Sequence, residues 1–480
     1  MVDLGTMTKR LQNIMRQDAG VNGDAQRIEQ IVWMLFLKLY DAKEMEWEII
    51  NDDYKSIIPE EYRWRNWAID NKDGKAITGD QLVNFVTQLF ITLKDLEVTE
   101  YTDSKSIIVK EVFTDLNNYM KDGVLIRQVI NVLNEVDLTD FRNRHAFNEI
   151  YETMLKELQS AGKSGEFYTP RALTEFIVKA LNPKIGESVA DFACGTGGFL
   201  ISALNHLNEQ TKDIKDKEII DTSLFGVEKK SLPYLLCTTN MFLHDINDPS
   251  IHHSNSLEKN VRDYDEKDKF DIIIMNPPYG GTEKKEVQNN FPTELRSSET
   301  ADLFMIEIMY RLKKNGKVGV IIPDGLLNGM GNKTKIREKL LTDFNLHTIV
   351  RLPNSVFKPY ATVATNILFF ENNGATKDIW FYEHQVPTGK KAYSKTKPIE
   401  FAEFKKELNW WNNRVENDVA WKVSVEDIRE NDYNLDIKNP NNHVEIKEYS
   451  IQELIENINS NQEEIKNILS SIKEEIERNV

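Results

Sequence analysis

The sequence predicts an α/β protein with a helical N-terminal domain, a doubly wound and largely parallel sheet, and a helical C-terminal tail. Three observations predict it. Apolar residues recur at helical spacing through the first third of the chain. Short β-rich runs alternate with helical stretches from Ser188 onward, and a heptad seam occupies the C-terminus. At 480 residues the chain is too long for one ordinary core. The expected division is 1–160, helical; 161–400, the sheet domain; and 401–480, a tail with a docking helix.

The first domain opens with "GDAQRIEQIVWMLFLKLYDAKEMEWEII", for which Asp24 is the expected cap and Ile28, Ile31, Val32 and Leu35 the buried face. "TGDQLVNFVTQLFITLKDL" and "LIRQVINVLNEV" repeat that style, and "FNEIYETMLKELQSAG" closes the region before Gly162 and Gly165 loosen the chain. The strands expected next are "SVADFAC", "SLFGVE", "FDIIIMN", "KVGVIIP", "LHTIVRL" and "VATNILFF". Little room for a helix separates the last two, so they are expected to end the sheet as an antiparallel pair. Residues 375–440 are rich in Trp and Asn and fit no template. In the tail, Ile451, Ile455, Ile458, Gln462, Ile465, Leu469, Ile472 and Ile476 alternate spacings of four and three, with Gln462 the polar member that sets register.

Composition narrows the function. No apolar run reaches the ~18 residues that span a bilayer, because "IVWMLFLKLY" is broken at Lys38. The N-terminus lacks the apolar core of a secretory signal. Cys194 and Cys237 are the only cysteines, which gives neither a disulfide framework nor a metal cluster, and a cytoplasmic protein is expected. The net charge of −17 is wrong for a chain that grips nucleic acid alone, since phosphate contacts supply most of such binding.

Three stretches carry chemistry. "ADFACGTGGFL" follows the first strand and opens a helix, and its Gly195, Gly197 and Gly198 let backbone approach a ligand where a Cβ would clash. No Gly-Lys-Ser/Thr follows, which excludes a Walker loop. "LFGVE" ends the second strand with Glu228, placed to accept ribose hydroxyls. "DIIIMNPPYGG" delivers Asn276, Pro277, Pro278 and Tyr279 to the carboxyl edge of the sheet. An amide carbonyl, backbone carbonyls without a competing N–H and a flat ring suit an exocyclic amine on a planar heterocycle. Two acceptors take its N–H groups and free the nitrogen lone pair for attack on an electrophile.

These residues resemble the amino-methyltransferases that use S-adenosylmethionine, in which "NPPY" is the catalytic motif and "DFACGTGGF" the cofactor loop. The whole chain is similar to the modification subunit of type I restriction-modification systems. "GEFYTPR", "ACGTGGFL", "GVE", "NPPYG", "LPNSVFKPYATVATNILFF" and "YNLDIKNP" stand in that family's order. The resemblance implies a Rossmann-like methyltransferase sheet and methyl transfer to N6 of an adenine flipped out of double-stranded DNA. Glu166, Phe167, Tyr168, Thr169, Pro170 and Arg171 would line the methionine side of the cofactor, Thr169 foremost. Asp191, Thr196, Gly197 and Gly198 would hold its amino-acid portion, and Glu228 the ribose. Asn255 stands where an acid often reads the cofactor adenine. Asn276, Pro277, Pro278 and Tyr279 would hold the target. Phe304 packs near the cofactor adenine or simply in the core.

The resemblance also implies partners: a DNA specificity subunit that reads sequence, a second copy of the modification subunit, and a restriction/translocase subunit in the larger assembly. The C-terminal seam is the candidate docking element, with an intramolecular helical hairpin as the alternative. Lysines in 333–339 and 390–397 are either phosphate contacts or a solvated face. Two other functions fit parts of the pattern: a stand-alone N-methyltransferase of RNA or of a protein amide, and a non-catalytic scaffold that binds the cofactor.

Overall fold

The computed structural model describes residues 4–70, 76–99, 102, 104–140, 142–144, 147–148, 151–153, 155, 168–358 and 363–441, together with 458–459, 461–463, 465–466 and 469–470. Glu166, Phe167, Gly162, Gly165, Ile451, Ile455, Ile472 and Ile476 lie outside them. Contacts gather the chain into one unit, Met1–Lys438, and a second, Asn439–Val480.

The N-terminal region is helical: α1 (Leu4–Met15), α2 (Gly23–Ile50), α3 (Gly79–Lys94), α4 (Ser104–Thr114) and α5 (Gly123–Asn134). Helix α2 begins before the expected cap. Asp24 lies in its first turn, where its charge complements the helix dipole and pairs with Arg27. The helix is also buried more widely than a single face, with Trp33, Met34, Phe36 and Leu37 enclosed beside Ile28, Ile31, Val32 and Leu35. The continuous apolar run makes it a central helix with neighbours on several sides.

One neighbour belongs to the sheet. Helix α6 (Arg171–Leu181), α7 (Gly198–Asn208), α8 (Ser231–Leu243) and α9 (Thr300–Arg311) pack on nine strands. Phe242 of α8 lies 6.1 Å from Phe36 and 6.0 Å from Tyr40, and the buried Lys43 donates to Asp245 at 2.8 Å. The helical region and the sheet therefore share one apolar core.

The strands are β1 (Val189–Asp191), β2 (Leu224–Glu228), β3 (Ser250–His253), β4 (Phe270–Met275), β5 (Leu312–Pro323), β6 (Asn345–Leu352), β7 (Thr365–Glu371), β8 (Asp378–Glu383) and β9 (Ala420–Ser424). Their order is β3-β2-β1-β4-β5-β7-β6-β8-β9. Strands β1 to β5 are mutually parallel, and β7 runs antiparallel between β5 and β6. Ile272 to Met275 are all buried, as expected of a strand covered on both faces. The antiparallel pair does not end the sheet. Strand β8 adds parallel to β6, and β9 adds antiparallel to β8. The Trp-rich segment supplies both, and Phe381 stacks on Trp421 across them with ring centroids 5.4 Å apart. Strand order reverses at β1, between β2 and β4, so the ligand crevice of a doubly wound sheet falls at the carboxyl ends of β1 and β4.

Under β1 and β4 lies a buried charged group. Arg311 of α9 sits among four rings, with its guanidinium carbon 4.1 Å from the Phe192 centroid, 4.7 Å from Tyr264, 5.1 Å from Phe270 and 5.4 Å from Phe225. It donates to Glu307 Oε1 at 3.2 Å and to the Asp268 carbonyl at 3.0 Å. Tyr264 and Ser256 also donate to Glu307. Among the described residues, no helix is long and apolar enough to cross a membrane.

Candidate active site at the carboxyl ends of β1 and β4

Asp191 ends β1 fully buried, with its carboxylate accepting the Ala193 N–H at 3.1 Å. Burial pushes its pKa well up, the Ala193 N–H opposes that, and the neighbouring Glu228 adds to it. The turn that follows is fixed from β2: Glu228 accepts the Gly195 N–H at 2.9 Å through one oxygen and the Lys230 N–H at 2.8 Å through the other. Asn240 of α8 donates to the Thr196 carbonyl at 3.1 Å. Gly195 and Gly197 hold φ of 54° and 80°, which L side chains rarely adopt. A Cβ on Gly195 would project into open space, whereas one on Gly197 would meet Cys237 Sγ at 2.9 Å.

Gly198 is glycine for a different reason. A Cβ there would lie 2.0 Å from Arg171 Nη1. Arg171 opens α6, donates to Glu152 at 2.8 Å from Nε and 2.5 Å from Nη2, and lies 4.8 Å from the Tyr168 ring centre. Tyr168 donates its hydroxyl to the same carboxylate at 3.0 Å. Among the described residues Arg171 Nη1 is buried without a hydrogen-bond partner, a charged donor left unsatisfied at the glycine turn. Gly198→Ala is therefore expected to push the guanidinium off Glu152. The measurements are a fall in melting temperature equivalent to about 1–3 kcal/mol and a loss of cofactor affinity by equilibrium dialysis.

Thr169 joins this segment to β4. Its Oγ1 accepts from Asn276 Nδ2 at 3.1 Å, and the Asn276 carbonyl oxygen accepts the Tyr279 hydroxyl. Burial pushes the Tyr279 phenol well above its usual pKa, so it stays a neutral donor. Pro277 is buried, Pro278 exposed, and Asn276 and Tyr279 half-buried. The Gly281 carbonyl accepts the Thr300 N–H at 2.9 Å, which ties the end of the turn to α9.

Four segments thus meet: 168–171 and the 276–279 turn through Thr169 and Asn276, 195–198 and 168–171 through Gly198 and Arg171, and β2 and 195–198 through Glu228 and Gly195. The contacts of Asn255 are local. Its amide oxygen caps a short turn by accepting the Leu257 N–H at 3.3 Å. Phe304 is buried on α9 within the core. The candidate phosphate lysines are partly engaged elsewhere. Lys333 pairs with Asp302 and Glu299, Lys339 with Asp343 and Lys390 with Glu403, while Arg337 is buried against backbone carbonyls. Glu152 was not anticipated from the sequence, because an acid on an amphipathic helix carries the same signal as a solvated one.

Comparison with known proteins agrees with this architecture. The N-6 DNA Methylase family matches residues 142–449, and the HsdM N-terminal domain matches residues 6–133. The type I restriction enzyme EcoEI methylase subunit of Escherichia coli is 51% identical over 92% of this chain and 91% of its own. A crystal structure described as a type I modification subunit from Vibrio vulnificus YJ016 superposes with a TM-score of 0.81 at 42% identity, over 93% of this chain and 98% of the other. A chain from a study of complex assembly in the type I R-M system gives a TM-score of 0.83 at 34% identity, over 99% of both. The chain belongs to the methylase subunits of type I restriction enzymes and is a DNA-adenine methyltransferase of the N-6 DNA methylase family.

Proposed function

We propose that the turn 276–279 holds the target adenine and that segments 168–171 and 195–198, with Asp191 and Glu228, hold S-adenosylmethionine. One contact carries this reading: the Asn276–Thr169 hydrogen bond joins the amine acceptor to the cofactor segment. The residues fit such a cofactor, since Gly195 leaves open space where a Cβ would stand and Arg171 Nη1 is an unsatisfied donor beside the glycine turn. When bound, S-adenosylmethionine supplies an electrophilic methyl group. Asn276 Oδ1 takes one N–H of the adenine amine and the Pro277 carbonyl the other, while the Tyr279 ring packs on the base. The nitrogen lone pair is thereby turned out of conjugation toward the methyl donor, and its proton leaves after the new bond forms. Extrusion of the base from the duplex costs a few kcal/mol, offset by these contacts.

The division of labour follows from charge. A chain of net charge −17 delegates most phosphate contact to partners, here a DNA specificity subunit, a second copy of this subunit and a restriction/translocase subunit. The docking element is the C-terminal seam of the 401–480 region, beyond a helical domain 1–160 and a catalytic domain 161–400. Ile458, Ile465 and Leu469 are 56%, 57% and 60% exposed, an apolar row suited to a partner helix. The reaction takes place in the cytoplasm.

The test is transfer of labelled methyl to genomic DNA lacking adenine methylation, with this chain alone and with its specificity subunit added. Label in N6-methyladenine only with the partner is expected. Label in RNA or protein instead would overturn the reading. Ile458→Lys combined with Ile465→Lys is expected to abolish co-elution with the specificity subunit while cofactor binding is retained. Undiminished co-elution would remove the seam as the docking element.

A further inference from the structure

A recess lies at the opposite edge of the sheet from Asn276. It has a volume of about 550 Å³, within the range of small-molecule sites, and is walled by the middle of β5, the start of β6, the end of β7, the last turn of α6 and the segment 408–414. Three of its lining side chains are cations, Lys179, Lys317 and Arg414, and one is a carboxylate, Glu371; Lys179 also lies within the field of Glu175, one turn earlier on α6. The balance is +3 − 1 = +2, in a chain of net charge −17.

Among the described residues none of the three cations is ion-paired with a carboxylate. Lys317 Nζ reaches only the Leu181 carbonyl, at 3.4 Å, and Lys179 Nζ lies 5.5 Å from the Phe401 ring centre. Arg414 is held by stacking, 4.7 Å from the Trp411 ring centre and 5.6 Å from that of Trp410. Its polar partner is His347, whose Nδ1 lies 3.3 Å from both terminal nitrogens. Burial and the neighbouring Arg414 push His347 down to about 3, so it accepts and adds no charge. Glu371 attracts Arg414 from a distance, and one of its oxygens is occupied by the Asn373 amide at 2.6 Å.

A guanidinium fixed by rings, half-buried and with Glu371 only at a distance is an incomplete arrangement, because desolvating a cation is unfavourable until an anion is in direct contact. We propose that this recess binds a small phosphate-bearing anion, with Arg414 as its fixed fork and Lys317 and Lys179 as mobile point charges. Phosphate suits the site because its oxygens accept from several donors at once, and the recess holds a molecule larger than the phosphate itself.

The experiment is calorimetric titration of the full chain, at low ionic strength, with pyrophosphate, with sulfate and with a short DNA duplex. Saturable pyrophosphate binding is expected, tighter than sulfate and weakened at least about tenfold by Arg414→Gln and by Lys317→Gln, the loss of a charge-assisted hydrogen bond. Unchanged melting temperatures would certify that both variants fold. Absence of saturable pyrophosphate binding overturns the proposal, as does equal binding by the folded variants. Duplex binding that alone depends on Arg414 and Lys317 would reassign the recess to the DNA backbone and overturn the small-ligand reading.

Discussion

Asn276→Ala is expected to lower methyl transfer by roughly 10³-fold, the scale on which removal of one preorganised polar group in an active site acts. Among the described residues the Asn276 side chain makes two hydrogen bonds, its amide nitrogen to Thr169 and its carbonyl oxygen from the Tyr279 hydroxyl. Alanine removes the proposed acceptor for the target amine but leaves the Gly195–Glu228 and Arg171–Glu152 contacts intact. Cofactor affinity should therefore stay nearly unchanged while single-turnover transfer collapses. Equal loss of both would mean that the amide serves the cofactor segment rather than the target base.

Arg311→Leu is expected to be the most damaging substitution for stability, by about 3–5 kcal/mol, because it strands a buried carboxylate. Glu307 is fully buried, and among the described residues one of its oxygens has no hydrogen-bond partner even with Arg311 present. Burial pushes the Glu307 pKa up and the Arg311 guanidinium opposes it, so removing the cation leaves burial to dominate. The leucine also gives up the four rings around the guanidinium. Denaturant unfolding reads the loss. Adding Glu307→Leu should restore a large part of it, since an apolar pair of similar volume replaces the charges. A double variant no more stable than Arg311→Leu would show that the arginine acts chiefly by packing against the rings.

Much of the architecture was legible in the sequence because it rests on short-range patterns. The run Ile272–Met275 and the glycines after Asp191 mark a strand and a strand-to-helix turn with no knowledge of what lies around them. Helices α2, α3 and α5 followed from periodicity in the same way. Strands β8 and β9 did not, since "DIWFYE" and "AWKVS" are separated by helical turns and an irregular stretch and pair only across that distance. The Glu152–Arg171 and Glu307–Arg311 pairs were invisible for a related reason. Whether a charged residue on a helix is buried with a partner is decided by what packs on it, and periodicity records only the apolar side. The start of α2 was displaced because the residue that marked its cap serves as a first-turn charge instead.

The Tyr279 hydroxyl on Asn276 bears on base selection. With Asn276 as the proposed acceptor, an incoming base does not fill a vacant position but enters an exchange, in which its own donor must outcompete a phenol already in place. A base that presents an oxygen at that point has nothing to offer in return, and the resident hydroxyl keeps its partner. An amine offers an N–H and releases the tyrosine ring to settle against the heterocycle. On the proposed role of Asn276, this exchange would favour a base that brings an exocyclic amine to that point over one that presents an oxygen there.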